Sequence, residues 1–222
     1  MKVLYEDNHI IVVEKEPNIP SQKDKTHDID MLTLVKQYLK EKYNKPGNVY
    51  VGLVHRLDRP VGGIMVFAKT SKAASRLSEQ IRNKEFKKRY LAVVDGKFNE
   101  TSGILEDYLY KDERNNISKV VDQKKKNAKK AKLDYEVLNY DDKRNLSLVK
   151  INLYTGRHHQ IRVQMANANH SLFGDQKYGT RGKGKQIRLW AYEVEFIHPV
   201  KKEKLIFRDL PDWTMCKNSK IE

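Results

Sequence analysis

The sequence predicts an α+β fold. Strand-like and helix-like segments alternate without a regular βαβ repeat, and the second half is mostly strand. With 222 residues, 39% of them hydrophobic, the chain can bury a core as one domain, or as one domain with two lobes. Val3 to Tyr5 and Ile10 to Val13 read as short strands around an Asp7-Asn8 turn. Pro17-Asn18-Ile19-Pro20 interrupts regular structure, since neither proline has an N–H for a ladder. Leu32, Val35 and Leu39 recur at helical spacing after Asp28 and Asp30, either of which can cap, and Pro46-Gly47 closes that helix.

Val49 to Val54 and Ile64 to Ala68 have the composition of buried strands. Ser71 is read as the cap of a helix with Ala74, Leu77 and Ile81 on its apolar face. Tyr90 to Val94 is a strand ending at Asp95-Gly96, and Leu133 to Leu138 and Leu146 to Leu153 flank an Asp141-Asp142 turn. A helix from about His158 to Ala168 follows, then a glycine-basic loop over Gly179 to Lys185. Tyr192 to Phe196 and Leu205 to Phe207 close the chain as strands. No internal repeat or flexible linker interrupts this order.

Lys and Arg total 44 against 29 Asp and Glu, a net charge of +15, which favours encounter with a polyanion such as nucleic acid. Cys216 is the only cysteine, so an intrachain disulfide and a cysteine-rich zinc site are excluded. No stretch approaches the roughly 20 apolar residues of a membrane span. The longest apolar run near the start, Ile10 to Val13, is no signal sequence, so a reducing cytoplasm is the expected compartment.

Four segments can carry chemistry. In His55-Arg56-Leu57-Asp58-Arg59-Pro60-Val61-Gly62-Gly63, a carboxylate between two arginines should stay ionised, which suits a nucleophile and not a general acid. The structural alternative is an Asp–Arg pair that stiffens a turn. Thr155-Gly156-Arg157-His158-His159-Gln160-Ile161-Arg162 resembles an anion-binding corner at a helix start. Its paired histidines lack cysteines or a carboxylate at ligand spacing, so phosphate contact or plain packing ranks above a metal. The lysines at 124, 125, 126, 129, 130 and 132 read as a solvated hairpin face, with phosphate tracking as the alternative. In Phe86-Lys87-Lys88-Arg89-Tyr90, local chemistry alone leaves Tyr90 as a core residue.

Together these segments resemble the RluA-type family of RNA pseudouridine synthases over nearly the whole chain. Val3 to Asp7 with Ile10 to Lys15 and Pro17 is similar to the family's opening motif, and His55 to Asp58 to its catalytic motif. Lys88 to Gly96 is similar to its tyrosine strand. Thr155 to Arg157, His159 to Val163, Gly174-Asp175 and Tyr178-Gly179 match its third motif. Leu189 to Ala191, His198-Pro199, Leu210-Pro211 and Trp213 resemble its ending. Three positions depart from the pattern. Val61-Gly62-Gly63 replaces a common threonine-serine-glycine element, and Gln164 and Trp190 stand where histidine is frequent.

The resemblance implies a single catalytic domain over residues 1–222, without an N-terminal accessory RNA-binding domain, built on a mixed, largely antiparallel sheet with a basic active-site cleft. It implies an isomerase that converts uridine in structured ribosomal or transfer RNA, with neither cofactor nor metal. Asp58 would be the nucleophile or base, Arg162 its ion-pair partner, and Tyr90 the ring against the uracil. Arg56 would fill the space of the extruded base, and His55, Arg157, His159 and Gln160 would complete the substrate site. A monomer without an obligate protein partner or membrane association is expected. Two rival classes are an RNA-remodelling module without catalysis and a metal-dependent nuclease using His158 and His159.

Overall fold

The computed structural model describes residues 1–213. In chain order its elements are β1 (Val3–Glu6), β2 (Ile10–Lys15), α1 (Met31–Lys42), β3 (Gly52–Leu53), β4 (Gly62–Ala68), α2 (Ser71–Arg82) and β5 (Lys87–Asp95). They continue with β6 (Ser102–Asp112), β7 (Ile117–Val121), β8 (Lys129–Asp141), β9 (Leu146–Leu153), α3 (Gln160–Asn167), β10 (Leu189–Ile197) and β11 (Lys204–Arg208). The α+β expectation holds. The chain clusters into two compact units, one of Met1–Lys87 with Ala191–Asp209, the other of Lys88–Trp190 with the segment from Leu210.

In the first unit the strands run in the order β1-β2-β4-β10, with β3 added to β4 and β11 to β10. β4 is buried along its whole length. Its Ile64, Val66 and Ala68 meet Ile10 and Val12 of β2, Val194 and Phe196 of β10, and Ala73 and Leu77 of α2. Those two helix positions lie four apart, so one stripe of α2 covers the sheet. Gln80 fastens the same helix to β10: its amide nitrogen donates to the Ile197 carbonyl (2.7 Å) and its oxygen accepts the Ile197 N–H (2.9 Å). The α2 cap is Thr70, whose side chain accepts from the Ala73 N–H, one residue before the predicted Ser71.

Helix α1 is capped by Asp30, which accepts the Thr33 N–H at 3.1 Å. Asp28, the other predicted cap, instead pairs with Arg59. Glu6 of β1 gathers Lys42 (2.7 Å), Tyr43 (2.7 Å) and Tyr38 (3.2 Å) from the end of α1, and Lys69 (2.6 Å) just after β4. Burial alone would raise the Glu6 pKa, but these donors outweigh it and bring the carboxyl down to about 2. The buried His198 joins the two chain segments of this unit. Its Nε2 donates to Asp7 (2.8 Å), while Nδ1 accepts the N–H groups of Val200 and Lys201.

The second unit carries the order β5-β9-β8-β6-β7, with every adjacent pair antiparallel. The register sets Tyr90 against Ile151 across β5 and β9, and Leu133 against Leu153 across β8 and β9. Two further departures from expectation concern strands. β6 and β7 form a hairpin that hydrophobic pattern did not reveal, and the segment from Val49 to Val54 is reduced to the two residues of β3. Helix α3 packs on the new hairpin through Val163, which meets Leu109, Ala131, Val120 and Tyr178. Gln164, one of the positions that departs from the family pattern, is fully buried and donates to the Leu105 carbonyl (3.2 Å) and the Asp107 carboxylate (2.7 Å).

Candidate active site

In the first unit the segment between β3 and β4 alternates inward and outward. His55 and Leu57 are buried, Arg56 is exposed, and Asp58 is half-buried. The inward residues anchor it. His55 Nε2 accepts the Val66 N–H at 3.0 Å, which fixes the proton of the ring on Nδ1, and the ring packs against Phe86. Ser21 Oγ both accepts the Leu57 N–H (3.1 Å) and donates to the Leu57 carbonyl (2.7 Å).

Beyond Asp58 the chain turns, with the Val61 N–H donating to the Asp58 carbonyl at 3.0 Å. That turn is held from beneath by Lys15, whose side chain is entirely buried. Lys15 Nζ donates to the carbonyls of Val61 (2.7 Å), Arg59 (2.9 Å) and Glu16 (3.1 Å). Burial lowers the Lys15 pKa to about 7, with the Asp58 charge pulling it up and Arg59 pushing it down. Arg59 points outward to Asp24 and Asp28, and the Asn18 N–H takes its carbonyl at 2.8 Å. Gly63 ends the segment at φ +120, where any Cβ would collide with the backbone of Ala191. Gly63, the position at which this element keeps the family's glycine, therefore has a packing reason, while the departure itself lies at Val61 and Gly62.

In the second unit Tyr90 is buried on β5, with only 5% of its surface exposed. The segment after β9 is built by Gln160. Its side-chain oxygen accepts from Thr155 Oγ1 (2.7 Å) and the Arg157 N–H (3.0 Å), and its nitrogen donates to the Lys132 carbonyl (3.1 Å). Arg157 Nε donates to the Lys130 carbonyl at 2.9 Å. Thus Gln160 and Arg157, predicted as substrate contacts, both serve here to tie this segment to β8.

His159 opens α3 in the left-handed region, φ 53, with its Nδ1 2.9 Å from Tyr178 Oη. Tyr178 Oη also accepts the Ser118 N–H at 2.6 Å, which ties this corner to β7. Burial first, then the charge of Arg162, drives the His159 pKa down to about 2, and the ring stays neutral at physiological pH. Neighbouring His158 has its Nδ1 3.0 Å from Ser118 Oγ. No group of three or more His, Cys, Asp or Glu side chains suited to a metal ion occurs among the described residues.

Arg162 is buried and bidentate. Its Nε and Nη2 donate to the two oxygens of Asp175 at 2.8 and 2.7 Å. Burial opposes the Asp175 charge, yet Arg162 and the N–H groups of Lys177 and Tyr178 hold the carboxyl below its usual range. The sequence reading gave Asp175 no role of its own. A signal was present: Asp175 is the only acid between Ser171 and Trp190, a stretch rich in lysine and arginine.

The fold is that of pseudouridylate synthases. The structure of human RNA pseudouridylate synthase domain containing 4 matches with a TM-score of 0.79 at 20% identity, covering 95% of this chain and 89% of that one. A family model described as RNA pseudouridylate synthase matches residues 9–167, and the chain belongs to that family. It is 37% identical over 206 residues to an uncharacterised RNA pseudouridine synthase of Mycoplasma genitalium, covering 88% of this chain and 63% of the relative. It is 33% identical over 201 residues to the ribosomal large subunit pseudouridine synthase D of Borreliella burgdorferi, covering 87% of this chain and 60% of that protein. The chain thus spans under two thirds of the length of either relative.

Proposed function

We propose that the protein isomerises uridine to pseudouridine in RNA, with Asp58 as the group that starts the reaction. The observation that carries this reading is the rigid presentation of Asp58. Its neighbours are pinned through Ser21, Lys15 and His55, while Asp58 itself is half-buried. A nucleophile or base held in one geometry avoids the ordering cost at the moment of reaction.

The reaction breaks the bond between ribose carbon 1′ and uracil nitrogen 1, and forms one to carbon 5. The proton of carbon 5 leaves and nitrogen 1 gains one, so no redox partner or energy source is required. Tyr90 is assigned the ring that lies against the uracil, and Arg162, oriented by Asp175, a catalytic cation. Exposed Arg56 is assigned the space left by the extruded base. The name of the Borreliella relative favours ribosomal RNA over transfer RNA as substrate. A cytoplasmic monomer that needs no cofactor or protein partner completes the reading.

The test is Asp58→Asn, which keeps size and removes charge. Pseudouridine formation is expected to fall below detection while RNA affinity stays within about threefold, or roughly 0.6 kcal/mol. Retained isomerisation in that variant would reject Asp58 as the catalyst. Comparison of pseudouridine maps of ribosomal and transfer RNA from cells with and without the protein identifies the substrate.

A further inference from the structure

We infer that Lys88 is a phosphate-binding residue of the RNA site, an assignment that rests on the RNA-modifying function proposed above. β5 is a strand, so Lys88 and Tyr90 project from the same face, and Lys87 and Arg89 from the other. The residues of that other face are engaged: Lys87 with Glu195 at 3.0 Å, and Arg89 with Asn152 at 3.1 Å. Lys88 differs. It is partly buried, and among the described residues its ammonium has neither a hydrogen bond nor an ion pair. Burial pushes its pKa below the usual lysine range, with no carboxylate to pull it back. Lys15, whose side chain is fully buried, shows the contrast, for it has three carbonyl partners and the Asp58 charge.

An unpaired cation in a partly desolvated position is costly to keep unless a ligand supplies the missing charge. Gly156 lies directly beside this one: a Cβ there would touch Lys88 Nζ at 3.4 Å, an ordinary contact distance. Gln160 and Thr155 fix the segment around Gly156, so the ammonium sits against a rigid turn that begins the anion-binding corner read from the sequence. An ammonium two residues from the proposed uracil-stacking tyrosine, with nothing of its own to neutralise it, fits one phosphate of the RNA strand at the target nucleotide. Arrival of the phosphate would restore full protonation of the amine, so binding takes up a proton.

The experiment uses the full chain and a synthetic RNA hairpin with a single loop uridine. Affinity is measured against salt for wild type, Lys88→Met and Lys88→Arg, and pseudouridine is assayed in the same samples. Loss of one phosphate contact should weaken Lys88→Met binding about tenfold and flatten the log–log salt slope by roughly 0.7. Lys88→Arg should keep both. A methylphosphonate at one position flanking the uridine should weaken the wild type and leave Lys88→Met unaffected. The Met variant should melt no lower than wild type, because an unpaired buried charge has been removed.

An unchanged salt slope in Lys88→Met, or equal losses from every methylphosphonate in both proteins, would overturn the assignment. So would a Lys88→Arg protein that binds normally yet forms no pseudouridine, since that result marks a proton-transferring amine. Wild-type protein that binds the hairpin with salt dependence but modifies no RNA would sink the enzymatic reading instead, and the slope comparison would still decide Lys88.

Discussion

At the scale of single residues, each unit holds a buried basic side chain, and the partners of the two differ in kind. Lys15 faces carbonyls, and Lys15→Met leaves three of them without a donor. We expect a loss of about 2–4 kcal/mol in denaturant unfolding and a larger fall in pseudouridine formation. The pH dependence has a definite sign. Because the folded pKa lies below the unfolded one, the folded state releases the Lys15 proton first. Wild-type stability should therefore rise relative to Lys15→Met between about pH 7 and 10.5. Arg162 faces a carboxylate. Asp175→Asn keeps the shape but removes the charge that balances the guanidinium, at a cost of about 3 kcal/mol, readable as a lower melting temperature together with lost activity. Arg162 was legible in the sequence through its motif. Asp175 was less so, because an ion pair between a helix residue and a loop residue 13 positions later leaves no periodic trace.

At the scale of elements, hydrophobic pattern found what is buried on one face or both. β2, β4, β5, β9 and β10 carry apolar runs, and α1 and α2 show apolar residues at helical spacing. It failed on β6, whose exposure alternates between half-buried and solvated positions and whose Ile104 is 61% exposed. That strand is specified by pairing to β8 and β7, which a local window cannot see. It overran at β3, where Gly52 is pressed against Ala74 of α2 with no room for a side chain. The clasp of α1 on Glu6 gives an element-scale prediction. The Glu6 pKa is depressed, so its stabilisation is complete above about pH 4.5 and is lost as pH falls towards 2. Urea unfolding at pH 6 should show Glu6→Gln weaker than wild type by about 1–2 kcal/mol, after solvent screening at the exposed Lys42 is discounted. Near pH 2 the two proteins should converge.

At the scale of the whole molecule, the net charge of +15 predicts that RNA affinity falls steeply with salt, by roughly 0.7 log units per log unit of salt for each single-stranded phosphate engaged. A filter-binding series over salt measures this, and a flat response would argue against a phosphate-tracking surface. The motifs were visible because each carries unusual chemistry in a short run. The division of the chain was not, because the first unit is discontinuous in sequence. Its last two strands, β10 and β11, are made only after the entire body of the second unit. A nascent polypeptide that has reached Leu189 already holds β4, every residue of which needs cover, but has not yet acquired the neighbour that supplies it. Translation itself therefore opens an interval in which an apolar edge waits for the codons of β10 and β11, and a ribosome stalled there would display a surface that chaperones, or other stalled chains, bind.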